Sequence, residues 1–193
     1  MSPRMIVVAG PPGSGKSSIF PVSSFGVSCF NADDRAAELN SGSYVGIPKS
    51  VRQAENREFE AFVFECIERR TSFAIETTLR SSVTFEQATL AKAVGFATEM
   101  RYLALRDFGM HVERVKARAD AGGHSASETT LLQTYRSSLA NLPKAIAEMD
   151  DLWVYDNSPV GGPPRLVLES ERGVVRFLAD DPPSWLIAAL DVS

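Results

Sequence analysis

Short apolar runs alternate along the chain with longer stretches in which apolar residues recur at steps of three and four positions. The short runs have the length of strands, and the longer stretches have the period of amphipathic helices. The strand-like runs are residues 5–9, 27–30, 73–75, 100–105 and 152–155. Alternation of this kind is typical of α/β proteins. We therefore expect an α/β fold of three layers, with a mostly parallel sheet and helices on both faces.

The longer stretches and the C-terminal part of the chain complete this prediction. Helices are predicted over residues 51–67 and 128–149, and a last short helix is predicted to start with Asp181 as its N-cap. Pro143 would kink or split the second of these helices. Two short strands, 165–168 and 174–178, flank turn residues, so we expect an antiparallel hairpin at the edge of the sheet.

The first apolar run leads directly into a phosphate-binding motif of the form G-x-x-x-x-G-K-[ST]. Its residues are Gly10, Pro11, Pro12, Gly13, Ser14, Gly15, Lys16 and Ser17, and Ser18 follows them. Glycine lets the backbone turn its N–H groups inward around phosphate oxygens. Lys16 would neutralise charge between the β- and γ-phosphates, and the Ser17 hydroxyl would ligate magnesium. The motif predicts a nucleoside triphosphate site on a P-loop fold, with these nine residues binding the cofactor.

Polar residues directly after the second strand are candidates for catalysis, because ligands of open α/β sheets bind beyond the carboxyl ends of the strands. The segment 31–35 contains Asp33 and Asp34. A carboxylate there lies within reach of the γ-phosphate and would take the proton of an attacking hydroxyl. An aspartate at this position is also typical of a helix N-cap. Two adjacent aspartates allow both roles.

A second polar segment, residues 76–80, follows the third strand. Glu76 would either organise magnesium through water or bind a substrate hydroxyl, and the sequence does not separate these roles. Arg80 would meet an anionic group of the substrate, and Thr77 lies between them. We expect these three residues on the substrate side of the site.

A third cluster, residues 114–124, combines basic residues with a Gly-Gly pair. Arg114 and Arg118 are four positions apart on a predicted helix and therefore share a face. Mobile arginines meet the charge of a transferring phosphoryl group. The cluster thus predicts a lid around residues 110–136 with His124 as a contact to the substrate; the alternative is a solvated helix face.

Composition limits the partners of the chain. The 193 residues are 44% apolar and carry a net charge of −4, with a pI near 5.3. This length suits one domain, residues 1–193. The acidic balance makes nucleic acid an unlikely partner and favours a small-molecule hydroxyl substrate. No apolar run reaches the length of a membrane span, so we expect a cytoplasmic protein. Cys29 and Cys66 are expected to be reduced core residues, although a single disulfide is compatible with the sequence.

Taken together, the motifs resemble those of the zeta toxin-like group of phosphate-loop kinases. The shared segments are 10–17, 31–33, 75–78, 114–124 and 154–158. The resemblance implies ATP- and magnesium-dependent phosphorylation of a sugar hydroxyl, in the best-known members the 3′-hydroxyl of UDP-N-acetylglucosamine. The chain departs from the family at Asn31, where an aspartate is usual, and at Arg136, which follows Tyr135 rather than preceding it.

The resemblance also implies roles for individual residues. Asp33 matches the catalytic base, which leaves Asp34 as the cap of the following helix, and Glu76 matches a substrate-binding carboxylate. Arg118 and Arg114 match the lid arginines, and Asn157 lies in a segment near the nucleotide base. Two related alternatives are a 5′-hydroxyl polynucleotide kinase and an antibiotic phosphotransferase. A third is an ATP-binding switch that acts through a partner, and an antitoxin partner stays open because no residue reports on it.

Overall fold

Strands and helices alternate along the chain, as the sequence predicts. The computed structural model describes residues 2–44, 46–120, 126–159 and 161–191, apart from the side chain of Asp33. The strands are β1 (Arg4–Ala9), β2 (Ser28–Phe30), β3 (Phe73–Thr77), β4 (Ala97–Ala104), β5 (Asp151–Asp156), β6 (Arg165–Glu171) and β7 (Val174–Leu178). The helices are α1 (Lys16–Ile19), α2 (Ala32–Leu39), α3 (Lys49–Glu68), α4 (Val83–Ala93), α5 (Phe108–Asp120), α6 (Glu128–Ala140), α7 (Leu142–Glu148) and α8 (Ser184–Leu190).

All seven strands of the described residues form one sheet in the order β2-β3-β1-β4-β5-β6-β7. The first five of these run parallel to one another, whereas β6 is antiparallel to both β5 and β7. This confirms the α/β fold and the C-terminal edge hairpin. Since β1 lies between β3 and β4, the phosphate loop that follows β1 has the ends of both strands beside it.

The strand β1 is buried on both faces, which explains its unbroken apolar sequence. Met5, Val7 and Ala9 face the larger core, and Ile6 and Val8 face the smaller one. The helix α1 is a single turn, so Phe20 and Phe25, just beyond it, pack over the smaller core. The phosphate site therefore lies on a rigid strand and depends on loop N–H groups more than on the dipole of a long helix.

The long helix predicted over residues 128–149 is split into α6 and α7. Pro143 lies in the first turn of α7, where its missing N–H costs no hydrogen bond. No helix in the described part of the chain is long and apolar enough to cross a membrane.

Two expectations are wrong. The last helix begins at Ser184 after Pro183 and not at Asp181, because the Asp181 carboxylate pairs with Arg165 at 2.6 Å. Cys29 is exposed on the short strand β2 and is not a core residue. Cys66 is buried as expected, and both thiols are free.

Candidate active site

The phosphate loop turns through glycines in the left-handed region and packs directly on its neighbours. Gly13 has φ of 77° and Gly15 has φ of 93°. A Cβ on Gly13 would lie 2.6 Å from the carbonyl oxygen of His111, and a Cβ on Gly15 would collide with the amide of Asn157. These positions therefore require glycine both for conformation and for space.

Lys16 is buried at the start of α1 and folds back over the loop. Its ammonium donates hydrogen bonds to the carbonyl oxygens of Gly10 at 2.9 Å and Pro11 at 3.2 Å. It also lies 3.8 Å from one oxygen of the Glu76 carboxylate. The lysine is thus held at the centre of the loop, where the sequence motif places it.

Glu76 contacts the loop at a second point. The Ser17 hydroxyl donates a hydrogen bond of 2.8 Å to the other oxygen of this carboxylate. Glu76 lies near the end of β3, which pairs with β1, so the sheet register sets its distance from the loop. A carboxylate beside the predicted magnesium-binding hydroxyl is suited to ligating the water shell of that ion.

Asn157 supports the loop from the end of β5. Its side-chain amide, which is buried, donates to the carbonyl oxygen of Ser14 at 2.9 Å. Arg114 in turn donates from its guanidinium to the Asn157 carbonyl oxygen at 2.9 Å. The side chain expected near the nucleotide base therefore contacts the loop backbone, and one of the two lid arginines rests beside it.

His111, in the first turns of α5, contacts the loop from the opposite side. Its Nδ1 lies 2.8 Å from the Pro12 carbonyl oxygen, and its Nε2 lies 3.1 Å from the backbone nitrogen of Leu105. The pKa of His111 is lowered to about 4, chiefly by burial and in smaller part by the cations of Lys16 and Arg114. The imidazole is consequently neutral at pH 7.

A cleft of about 1160 Å³ extends from the phosphate loop toward the helices α3, α5 and α6. The predicted site residues on its walls are Pro12, Gly13, Gly15, Lys16, Ser17, Ser18, Glu76, Thr77, Arg80, Arg114, Arg118 and Asn157. Gly10, Pro11 and Ser14 complete the loop behind this surface. The structure thus brings together residues that lie as many as 145 positions apart in the sequence. His124 and the Gly-Gly pair lie outside the described residues.

Residues that sequence reasoning did not single out form much of the opposite wall. The helix α3 contributes Arg52, Glu55, Asn56 and Phe59. Glu55 is buried, which is rare for a carboxylate and often marks a binding site. The helical period of the apolar residues does not reveal such residues, because it does not distinguish a polar residue on a buried face from one exposed to solvent.

The turn after β3 holds Arg80 at the mouth of the cleft. Leu79 is fully buried yet has a positive φ of 56°, which is unfavourable for a residue with a side chain. The Thr77 hydroxyl accepts the Leu79 N–H at 3.1 Å, and the Asn141 amide donates to the Leu79 carbonyl at 2.9 Å. These bonds stabilise the strained turn that carries Arg80.

The segment after β2 differs from expectation. The helix α2 begins at Ala32, and the Asn31 side-chain oxygen accepts the Asp34 N–H at 3.2 Å. Asn31 is therefore the cap, and the prediction that Asp34 caps the helix is wrong. The Asp34 carboxylate instead accepts a hydrogen bond of 2.8 Å from the Tyr44 hydroxyl. Asp33 lies in the first turn of α2, and its side chain is outside the described part of the chain.

Comparison with known proteins gives the fold. No protein family profile matches the sequence. A Haemophilus influenzae (strain Rd) protein of uncharacterized function is 25% identical over 139 residues, which are 70% of this chain and 94% of that protein. Among solved structures, the AvrRxo1-ORF1:-ORF2 complex with ATP matches at a TM-score of 0.69 and 15% identity, over 90% of this chain. The PezAT toxin-antitoxin system of Streptococcus pneumoniae matches at 0.64 and 14% identity, over 99% of this chain and 84% of the other.

These likenesses confirm the fold that the sequence predicts. The chain shares the overall fold of these two structures, and its seven-stranded, mostly parallel sheet carries the phosphate loop directly after β1. It spans 60% of the length of the AvrRxo1 chain that it matches, so part of that protein has no counterpart in this sequence.

Proposed function

We propose that the protein is an ATP- and magnesium-dependent phosphotransferase that acts on a hydroxyl of a sugar or nucleotide-sugar. The observation that carries this proposal is the continuity of the cleft from the phosphate loop to a polar wall on α3 and the turn after β3. Hydrolysis of ATP needs room for water alone, whereas this cleft has space for a second substrate with hydroxyl and anionic groups. Arg52, Asn56 and Arg80 offer donors for such groups.

The phosphate loop fits ATP and magnesium. Its left-handed glycines let the loop pack against His111 and Asn157 where no Cβ has room, and the buried Ser14 hydroxyl has no hydrogen-bond partner in the described residues. The Ser17 hydroxyl and the Glu76 carboxylate supply the oxygen donors that magnesium prefers. When bound, magnesium neutralises charge on the β- and γ-phosphates. In this proposal Glu76 orients Ser17 and the water shell of the ion.

The remaining residues have distinct roles in the transfer. Asp33 takes the proton of the acceptor hydroxyl as that oxygen bonds to the γ-phosphorus and the bond to the β,γ-bridging oxygen breaks, which leaves ADP. Lys16 exchanges its loop carbonyl partners for phosphate oxygens. Arg118, exposed on the cleft wall, and Arg114, one turn before it, meet charge on the transferring group.

A protein partner is part of the proposal, because one matched structure contains AvrRxo1-ORF1 with -ORF2 and the other comes from the PezAT toxin-antitoxin system. Residues outside the catalytic cleft would carry that contact.

The function is tested by incubating the purified protein with γ-labelled ATP, magnesium and a panel of acceptors. The panel contains UDP-N-acetylglucosamine, other UDP-sugars, free sugars and a 5′-hydroxyl oligonucleotide. We expect label in a nucleotide-sugar or sugar whose mass rises by one phosphoryl group. Label in the oligonucleotide would make the protein a polynucleotide kinase, and hydrolysis with every acceptor unlabelled would favour the ATP-binding switch.

A further inference from the structure

His111 joins three parts of the molecule through one side chain. It belongs to α5, it contacts the Pro12 carbonyl of the phosphate loop, and it contacts the Leu105 N–H just after β4. Because the Leu105 N–H is a donor, the Nε2 atom that faces it must be an unprotonated acceptor. The single ring proton of the neutral imidazole is therefore on Nδ1 and is donated to Pro12.

This contact orients a peptide group of the loop. The Pro12–Gly13 bond is trans, so the Pro12 carbonyl and the Gly13 N–H point in opposite directions. Holding the carbonyl against α5 therefore directs the Gly13 N–H away from α5, and phosphate loops bind phosphate oxygens through such backbone N–H groups. Asn157 does the same for the next but one peptide, because its amide holds the Ser14 carbonyl and so orients the Gly15 N–H.

Packing makes the His111 contact rigid. The imidazole is 2% exposed, and the Tyr135 ring of α6 packs edge-on against it at a centroid distance of 5.1 Å. The backbone of α5 is so close to the loop that a Cβ on Gly13 would meet the His111 carbonyl oxygen. Arg114 lies one turn further along the same helix and touches Asn157.

We propose that His111 is a positioning residue that orients the Pro12–Gly13 peptide for binding the phosphates of ATP and fixes α5, with Arg114, against the loop. This inference rests on the proposed function. It goes beyond it in assigning part of the ATP affinity to a side chain that touches neither ATP nor the acceptor. The roles of the two ring nitrogens can be tested separately, because Nδ1 contacts the loop and Nε2 contacts the backbone just after β4.

Three variants separate the two contacts. His111→Asn places an amide N–H near the position of Nδ1 and has no group at Nε2, so it retains the bond to Pro12. His111→Gln places an oxygen near the position of Nε2 and retains the bond to Leu105. His111→Leu removes both. Affinity for MgATP is measured by titration calorimetry, and stability by thermal melts.

We expect His111→Asn to bind MgATP within about threefold of the unaltered protein, and both His111→Gln and His111→Leu to bind about tenfold more weakly. Tyr102→Phe is the matched control, because it removes a different buried hydrogen bond, 3.0 Å to Ser138, away from the cleft. It should lower the melting temperature and leave the MgATP affinity unchanged. A purely structural role predicts instead that affinity follows melting temperature in all four variants.

The outcomes separate the two levels of inference. If the unaltered protein binds MgATP and the Asn and Gln variants bind it equally, the role of His111 is wrong and the proposed function stands. If the unaltered protein fails to bind MgATP, the proposed function fails and this inference fails with it. If His111→Leu does not fold, the difference in MgATP affinity between His111→Asn and His111→Gln still tests the proposal.

Acidic pH offers a second readout on the same contact. The groups that face the imidazole are Lys16, Arg114, Asp107 and Tyr135. The unfolded chain takes up the His111 proton near 6.5 and the folded chain only at about 4, so stability falls as the pH drops through this window. The melting temperature of His111→Asn should fall less between these values than that of the unaltered protein. Parallel curves would overturn the assignment of Nε2 as a buried acceptor.

Discussion

The two sides of the cleft are built differently. On the phosphate-loop side, buried side chains bond to backbone groups: His111 to Pro12, and Asn157 to Ser14. On the acceptor side, α2 and α3 are joined by exposed side chains. The Arg35 guanidinium bonds to Glu58 at 2.5 Å, and the pKa of the Glu58 carboxyl is lowered by that contact.

This difference separates a rigid half of the site from an adaptable one. Bonds between buried groups and backbone are shielded from water, and breaking them leaves polar groups unpaired. Ion pairs on the surface contribute little and weaken in salt. The nucleotide side is therefore prepared before ligand arrives, whereas the acceptor side can move α2, and Asp33 with it, when an acceptor binds.

The largest loss of phosphoryl-transfer activity is expected when Lys16, on the nucleotide side of the cleft, is replaced. Lys16→Ala removes the cation from the centre of the loop and should lower phosphoryl transfer at saturating ATP roughly 10³-fold or more. Lys144→Ala, an exposed lysine whose ammonium lies over the Phe85 ring, is the control and should leave transfer unchanged. Single-turnover rates with labelled ATP measure both. Full activity of Lys16→Ala would contradict the proposed phosphotransferase mechanism.

The adjacent aspartates of α2 test the acceptor side. Asp33→Asn should reduce transfer by roughly 10²–10⁴-fold while ATP affinity and melting temperature stay unchanged, because only the proton acceptor is lost. Asp34→Asn should retain activity within a few fold, since Asn still accepts the Tyr44 hydrogen bond. Both are measured by single-turnover transfer and thermal melts. The reverse pattern would place the base at Asp34.

Glu76 decides whether the end of β3 belongs to the nucleotide or the acceptor side. If its carboxylate organises magnesium, Glu76→Gln should raise the magnesium concentration for half-maximal activity by roughly 10–100-fold. The KM for the acceptor should change little. Glu86→Gln, an exposed glutamate bonded to Ser82, is the control. Titration of magnesium at fixed ATP gives the answer, and a rise in acceptor KM alone would assign Glu76 to the substrate.

Local sequence predicts the rigid side well. The phosphate loop is contiguous, and its glycines report backbone angles that the chain must adopt at that point. The strand β1 is apolar without interruption because both of its faces are buried. Glu76 follows from the rule that ligands bind at strand ends, since it lies near the end of the parallel strand β3, whereas Asn157 is indicated by the family resemblance.

Long-range contacts explain what the sequence does not predict. The sequence analysis does not predict α4, whose inner face buries the polar residues Thr84 and Gln87 beside Phe85, Ala88 and Ala91. The role of His111 depends on Pro12, 99 positions away. Asp181 matches the sequence pattern of a helix N-cap, but its carboxylate forms an ion pair with Arg165 instead. This contact exists only when the hairpin has folded.

The smallest effect is expected from the ion pair between α2 and α3. Arg35→Ala should raise the KM for the acceptor by at most a few fold and leave the KM for ATP unchanged, because the pair is exposed and positions only the helix that carries Asp33. The control is Arg69→Ala, which breaks another exposed pair of α3, with Glu65 at 2.8 Å, and does not touch α2. The control distinguishes the ion pair between α2 and α3 from ion pairs of α3 in general.

Initial rates at low and high salt provide the measurement. Screening should raise the acceptor KM of the unaltered protein toward that of Arg35→Ala, while the variant itself responds less to salt. An equal effect of both substitutions, or a change in the KM for ATP, would show that the two sides of the cleft are not mechanically separate.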